Sequence, residues 1–149
     1  MKRAWTTVLL TLVLCGSSSA STEPDELQVQ LESARGTERV RLLNELSTQL
    51  RPNEPRESIA RAEEAEELAA EISDRAGRAR ALNNIGIGYY LLAEYGRALG
   101  FYERSLAVAG ELGEPEPIAN VLNNIGLSYI GLERFDEALA WLERGLRIQ

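Results

Sequence analysis

Hydrophobic residues recur along most of the chain at the three- and four-residue spacing of amphipathic helices. One such face is formed by Leu82, Ile85, Tyr89 and Leu92, and the next by Ala98, Leu99, Tyr102 and Leu106. Turn-forming residues that include proline or glycine separate these segments. The pattern predicts helices at 37–51, 54–72, 75–92, 94–112, 116–131 and 133–148, with a short leading helix at 24–34 that ends before Gly36. No segment has the strict alternation that would predict a strand.

The chain contains an internal repeat. The pentapeptide Leu-Asn-Asn-Ile-Gly at 82–86 returns at 122–126, and residues 80–109, which include it, match 120–149 at 12 of 30 positions. A fainter copy, Leu-Asn-Glu-Leu-Ser, begins at Leu43 with an offset of 39. Repeats of this length are typical of helical hairpins stacked in a row. We therefore predict an all-α solenoid of antiparallel helix pairs with about three repeats, whose units lie near 37–73, 79–113 and 119–149.

The positions that the copies share predict how paired helices pack. Glycine inside a helix costs roughly 1 kcal/mol relative to alanine, so Gly86 and Gly126 indicate close helix approach, with Ala98 and Ala138 as small residues opposite. The predicted structural positions are Leu82, Ile85, Gly86, Tyr89, Ala98, Tyr102, Leu122, Ile125, Gly126, Tyr129 and Ala138.

Residues 1–20 have the pattern of a secretory signal peptide. Lys2 and Arg3 precede a twelve-residue apolar stretch, and small residues follow it up to Ala20. The stretch is shorter than the roughly 20 residues that a membrane-spanning helix needs. We expect export to the periplasm or secretion after cleavage near Ala20, which would leave 21–36 as a leading helix and linker.

Two alternatives to cleavage stay open at this segment. A lipoprotein anchored through Cys15 is disfavoured because Leu14 stands where lipidation requires a small residue. An uncleaved anchor is the other alternative.

Composition argues against an enzyme. The chain has no histidine, and its only lysine and only cysteine, Lys2 and Cys15, lie in the expected leader. Without the leader, the chain lacks the commonest general base, the thiol nucleophile, the Schiff-base amine and the soft metal ligands. We therefore expect no enzymatic activity, no cofactor and no bound metal.

Net charge narrows the choice of partner. The chain carries a net charge of −7, and loss of Lys2 and Arg3 would leave 14 basic against 23 acidic side chains. An acidic chain repels nucleic-acid phosphates and anionic lipid surfaces. We expect a protein or peptide partner, no nucleic acid, and no binding to membrane lipid after cleavage.

An acidic run at 63–71 precedes three arginines, Arg75, Arg78 and Arg80, at the start of the next predicted helix. Such a run is usually an exposed charged face. We expect the three arginines to compensate the negative charge of this run.

The shared positions together resemble the tetratricopeptide repeat. That family has a large residue followed by Leu-Gly and Tyr in the first helix, then Ala and an aromatic residue in the second. Here the matching residues are Leu82, Ile85, Gly86, Tyr89, Ala98 and Tyr102. The resemblance covers about 40–149, with a period of 40 instead of about 34, and without the proline that closes the second helix. It implies a scaffold that binds a peptide or partner protein in a concave groove.

In this family the first helix of each unit lines the groove. An asparagine amide both donates and accepts, so it can bind the backbone of an extended peptide, and exposed apolar side chains beside it are typical of partner sites. The predicted groove residues are Asn83, Asn84, Ile87, Tyr90 and Leu91 in the second unit, Asn120, Asn123, Asn124, Leu127 and Ile130 in the third, and Asn44 with Arg41 and Thr48 in the first. The alternatives are that the asparagines are ordinary solvated positions and that the apolar residues belong to the core.

Two alternatives concern the chain as a whole. The order of segments also resembles the exported tetratricopeptide sensor halves of bacterial histidine kinases and nucleotide cyclases, so a truncated sensor-input domain is the alternative function. In addition, the helix at 133–148 is apolar on more than one face, whereas repeat arrays usually end in a polar capping helix. A longer parent protein, a partner protein, or self-association through this C-terminal helix would each account for that surface.

Overall fold

The computed structural model describes residues 24–148, and all of its regular elements are helices. They are α1 (Pro24–Ser33), α2 (Gly36–Leu50), α3 (Pro55–Glu71), α4 (Arg75–Leu91), α5 (Tyr95–Leu112), α6 (Pro115–Gly131) and α7 (Phe135–Leu146). The bounds agree with the predicted helices to within two residues. The expected leader at 1–20, which includes Cys15, lies outside the described residues. Within residues 24–148, no helix is long and apolar enough to cross a membrane.

Proline, aspartate and glycine set several helix ends. Pro55 and Pro115 open α3 and α6, where their missing amide hydrogen is not needed. The Asp74 Oδ1 accepts a hydrogen bond of 2.9 Å from the Gly77 amide and caps α4. Gly113, with φ of +71°, ends α5 in the left-handed conformation that glycine adopts without strain.

Three of the turns share one backbone geometry. Ser73, Ala93 and Glu133 each have a φ near +60°. In the α4–α5 turn the amide that follows, that of Glu94, reaches back to the Tyr89 carbonyl at 2.9 Å, and the α6–α7 turn repeats this bond. This pattern satisfies the last carbonyls of the preceding helix. The α4–α5 and α6–α7 hairpins are therefore closed in the same way.

The helices form two rows. We call α2, α4 and α6 the inner row, and α3, α5 and α7 the outer row. The backbone of each inner helix packs close to that of the next inner helix, whereas among the described residues the outer helices lie farther apart and meet only through side chains, as in the ion pair of Arg104 on α5 with Glu66 on α3 at 3.3 Å. The array therefore curves toward the inner row, which lines its concave side. This is the all-α repeat solenoid that the sequence predicts.

Two apolar clusters hold the rows together. The first joins α3, α4, α5 and α6 through Ile59, Ala62, Ile85, Tyr89, Ala98, Leu99, Tyr102, Val121 and Ile125. The second cluster lies at the N-terminal end of the array, where Leu27 and Leu31 of α1 cover the apolar face of α2. Each fully buried leucine contributes about 1.5–3 kcal/mol. The leading helix therefore closes one end of the solenoid.

The repeat glycines do mark close approach, although the nearest atoms belong to large side chains. A Cβ on Gly86 would lie 2.5 Å from the Tyr102 Cε1, and one on Gly126 would lie 2.6 Å from the Leu142 Cγ. At Gly126 the carbonyl of the predicted Ala138 also lies close, 3.3 Å from an added Cβ. The pairing with Ala98 as the main residue opposite was therefore wrong, because a large side chain fills the space that the glycine leaves. Ten of the eleven predicted structural positions are buried, and Tyr129 is half-buried.

Candidate functional site

A crevice opens on the inner row between the first turns of α4 and α6. Its volume is about 520 Å³. The lining residues are Ala76, Ala79, Arg80 and Asn83 from α4, Ser105 and Leu112 from α5, and Glu114, Pro115, Glu116, Pro117, Asn120 and Val121 from the turn and α6. We call this space the α4–α6 crevice. It is lined by both charged and amide side chains.

Arg80 supplies the positive charge of the crevice. The two neighbouring arginines are paired, Arg75 with Glu111 at 3.8 Å and Arg78 with Glu66 at 2.9 Å. Arg80 is exposed and forms no ion pair with a described residue. Of the three arginines expected to offset the acidic run at 63–71, only Arg78 pairs with it, so the expectation is wrong for Arg75 and for Arg80. The Arg80 guanidinium is available to a ligand.

Asn83 and Asn120 bring amide groups to the same crevice. The Asn83 Oδ1 accepts a hydrogen bond of 2.9 Å from the Asn124 Nδ2, which leaves the Asn83 Nδ2 as a donor. The exposed Asn120 side chain has no hydrogen bond to a described residue. Glu114 and Glu116 add acceptors at the turn. The crevice can therefore bind both the N–H and the C=O groups of a peptide.

Asn44 and Asn84 do not line the groove, so the prediction was wrong for both. They are 1% and 3% exposed. The Asn84 Nδ2 donates to the Asn44 Oδ1 at 3.1 Å and to its backbone carbonyl at 3.2 Å, while the Asn44 Nδ2 donates to the carbonyls of Val40 and Gly77. The helices α2 and α4 approach so closely here that both amides are sealed between them.

Arg51 completes this buried network. Its Nη2 donates to the Asn84 Oδ1 at 2.9 Å and to the Thr48 Oγ1 at 3.2 Å. The Arg51 Nε is buried without a partner among the described residues, and burial lowers the pKa of the Arg51 guanidinium. Since these groups bond to each other, the α2–α4 contact is a structural junction.

The third unit also departs from the predicted groove. Asn124 is half-buried and donates inward to Asn83. Asn123 is half-buried as well. A Cβ added to Gly145 of α7 would lie 2.6 Å from the Asn123 Oδ1. Asn123 therefore faces the outer row. Of the six predicted asparagines, only Asn83 and Asn120 line the crevice.

The predicted apolar groove residues divide into two groups. Ile87 and Tyr90 are partly buried and pack against the central apolar cluster, so the core alternative describes them better. Leu91, Leu127 and Ile130 are 42–49% exposed. These three remain available to a partner, farther along α4 and α6 than the crevice at their first turns.

The exposed face of α2 is occupied by its own contacts. Arg41 is held between Glu38 and Glu45, each at 2.8 Å, and the Thr48 Oγ1 donates to the Asn44 carbonyl at 3.0 Å. The pairing with Arg41 lowers the pKa of Glu38. We therefore place the candidate site at α4 and α6.

Arg80 is the crevice residue that the groove prediction missed. It lies 40 residues before Asn120, so it holds in its unit the position that Asn120 holds in the next. The repeat period was therefore a signal that could have found it. Within residues 24–148, no group of three or more acidic, cysteine or histidine side chains is placed to hold a metal ion.

The tetratricopeptide repeat family matches the sequence at residues 78–112 and 118–149. These ranges coincide with the α4–α5 and α6–α7 hairpins. This chain is a tetratricopeptide repeat protein. The α2–α3 hairpin has the same packing but falls outside the matched ranges, as its fainter copy of the pentapeptide would suggest. No curated protein sequence matches this tetratricopeptide repeat protein.

Solved structures share the fold at low sequence identity. The tetratricopeptide domain of Arabidopsis FLU superposes with a TM-score of 0.68 at 18% identity, over 72% of this chain and 92% of that one. BtubC from P. vanneervenii gives 0.74 at 23% identity, over 84% of this chain and 54% of that one. A Rap protein complexed with competence and sporulation factor gives 0.77 at 18% identity, over 84% and 36%. This chain thus spans about a third of the Rap protein and about half of BtubC.

Proposed function

We propose that this tetratricopeptide repeat protein is a non-enzymatic interaction scaffold that binds an extended peptide segment of a partner protein in the α4–α6 crevice. The observation that carries the proposal is the convergence of Arg80, Asn83 and Asn120 on one crevice, with polar groups that no described residue uses. Unused polar groups in a preformed concave site are the usual means by which a ligand is oriented.

The mode of binding follows from the chemistry of these side chains. The Asn83 Nδ2 would donate to a backbone carbonyl of the peptide, and the Asn120 amide would pair with both backbone groups of one residue. Arg80 would bind a carbonyl or carboxylate oxygen. Exposed Leu127 would contact one apolar side chain of the peptide. Because the helices are already packed, most of the conformational entropy that is lost on binding is that of the peptide.

The fold comparisons support this proposal at a coarser level. A Rap protein with the same fold is complexed with competence and sporulation factor, so this kind of helical array can hold a bound partner. At 18% identity, that likeness says nothing about which partner this chain takes.

The proposal is tested by selecting peptides on the protein and then measuring their affinity. Random displayed peptides are selected on the wild type, and the dissociation constant of the best binder is measured by fluorescence anisotropy. We expect the double substitution Asn83→Ala/Asn120→Ala to weaken binding at least tenfold, or about 1.4 kcal/mol. Asn53→Ala, an exposed asparagine in the α2–α3 turn, is the matched control and should leave binding unchanged. Equal affinities of the wild type and the double variant would contradict the proposal.

Export is a separate part of the proposal. The basic, apolar and small-residue pattern of 1–20 supports removal of this segment during secretion. Mass spectrometry of the protein recovered from the expressing cell should find Ser21 at the N-terminus. Recovery of an uncleaved chain, or of a chain lipidated at Cys15, would contradict it.

A further inference from the structure

The outer face of α7 carries an apolar stripe that the described part of the chain leaves uncovered. Phe135, Leu139 and Leu146 are 60–70% exposed. They lie four and seven residues apart, so they share one side of the helix. Exposed apolar side chains grouped in this way mark an interaction surface.

The repeat shows what covers the equivalent positions in the preceding units. Leu139 corresponds to Leu99 and Ile59, which are 9% and 6% exposed. Ile59 is covered by the next helix of the array, because a Cβ on Gly88 of α4 would collide with its side chain. The α7 stripe is therefore a surface built to receive a helix.

The orientation of that helix can also be inferred. On α3, Ile59 near the start meets Gly88 near the end of α4, whereas Glu66, farther along α3, meets Arg78 near the start of α4. The covering helix is thus antiparallel to the outer helix that it covers. A helix seated on α7 in the same way would also run antiparallel to it.

We propose that the occupant is the α7 helix of a second copy of this chain, related to the first by a two-fold axis near Trp141. In an antiparallel pair about such an axis, Phe135 of each copy lies opposite Leu146 of the other, and Leu139 lies between these two contacts. Leu142 is half-buried against Gly126 of its own α6 and is not part of the exposed stripe. The apolar stripe is thus complementary to itself, as an isologous two-fold interface requires.

Charge favours the same pairing. Asp136 and Arg147 lie on the same flank of the stripe, at opposite ends of α7, and neither forms an ion pair with a described residue. By contrast, Arg134 is paired with Glu137 at 2.5 Å, and the Arg144 guanidinium stacks 4.3 Å from the centre of the Trp141 ring. The antiparallel arrangement places Asp136 of each copy beside Arg147 of the other, so these opposite charges pair twice, while Glu143, also exposed and without an ion pair to a described residue, lies between them on the same flank. The resulting dimer would present two α4–α6 crevices.

The first experiment measures oligomeric state. The protein is expressed from its full sequence and recovered as the cell processes it, and its chain mass is fixed by mass spectrometry. Light scattering up to about 100 μM should give twice that mass. Leu139→Glu should give the single-chain mass. Val29→Glu is the control on α1, since Val29 is 66% exposed and equally apolar, and it should stay dimeric.

The second experiment tests the geometry by charge exchange. Asp136→Arg should raise the dissociation constant of the dimer at least tenfold, and Asp136→Arg/Arg147→Asp should restore it to within about threefold. Circular dichroism melting confirms that each variant is folded. Single-chain mass for the wild type, assemblies larger than two chains, equal effects of Leu139→Glu and Val29→Glu, or no restoration by the double exchange would each overturn the proposal.

Discussion

Gly86 and Gly100 are both helical glycines, but their surroundings are opposite. A Cβ on Gly86 would meet the buried Tyr102 ring at 2.5 Å, whereas a Cβ on Gly100 would meet nothing within 4 Å. One glycine is therefore required by packing, and the other leaves the stability of α5 below what alanine would give. The same residue type thus has two different physical roles.

Alanine should consequently have opposite effects at the two positions. We expect Gly86→Ala to lower the free energy of unfolding by about 1–3 kcal/mol through overpacking against Tyr102. Gly100→Ala should raise it by roughly 0.5–1 kcal/mol through helix propensity. Urea unfolding followed by circular dichroism measures both. Effects of the same sign would contradict the packing at Gly86.

Burial of the Tyr102 hydroxyl makes the stability of the protein depend on pH in the alkaline range. Burial raises the pKa of the Tyr102 hydroxyl, so the native state holds its proton at a pH where the unfolded chain, with a tyrosine pKa of about 10, loses it. Stability from this group is complete below pH 10 and falls as the pH rises further.

The Tyr102→Phe variant isolates this effect. Between pH 8 and 10.5, the wild type should lose about 0.8 kcal/mol more unfolding free energy than Tyr102→Phe. Urea unfolding of both proteins at the two pH values gives the difference. A wild type and variant with parallel pH dependence would show that Tyr102 titrates normally in the native state.

At the scale of helices, pairs of asparagines join successive units. Asn84 bonds to Asn44 across α2 and α4, and Asn124 bonds to Asn83 across α4 and α6. In each case, the second asparagine of the pentapeptide donates to the first asparagine of the preceding copy. The inner row is thus held by side-chain amides as well as by apolar contacts.

The two pairs should differ in their contribution to stability. Asn84→Ala removes the donor to the buried Asn44 Oδ1 and the acceptor of one Arg51 hydrogen bond, so we expect a loss of about 1–3 kcal/mol. Asn124→Ala removes one bond in a half-buried place, and its loss should stay near 1 kcal/mol or below. Chemical unfolding of both variants tests the ranking. A larger loss for Asn124→Ala would contradict the burial described for the α2–α4 junction.

The repeated turns contain strained residues. Ala93 and Glu133 both adopt a φ near +60°, which costs a non-glycine residue roughly 1–2 kcal/mol. Ala93→Gly should therefore raise the melting temperature, with a net gain of roughly 0.5 kcal/mol after the entropy cost of glycine. Ala107→Gly, at an exposed position within α5, is the control and should lower it. If both variants melt below the wild type, the turn is not strained as described.

At the scale of the whole molecule, periodicity predicted the fold but only part of the site. Leu82, Ile85 and Tyr89 define the core face of α4 from sequence alone, and the 40-residue repeat places the same face on α6. The position of Asn84 could not be predicted in this way, because its burial depends on how closely α2 approaches α4. Hydrophobic spacing does not encode the distance between neighbouring inner helices. The sensor-input alternative for the whole chain stays a prediction.

The central claim is that the inner row, at α4 and α6, holds a partner peptide. Its most direct test is chemical-shift mapping of the ¹⁵N-labelled protein during titration with a selected peptide. We expect the largest changes at the amides and side chains of Arg80, Asn83 and Asn120, with little change on α3. Changes confined to the outer row, or centred on α2 and α3, would contradict the claim.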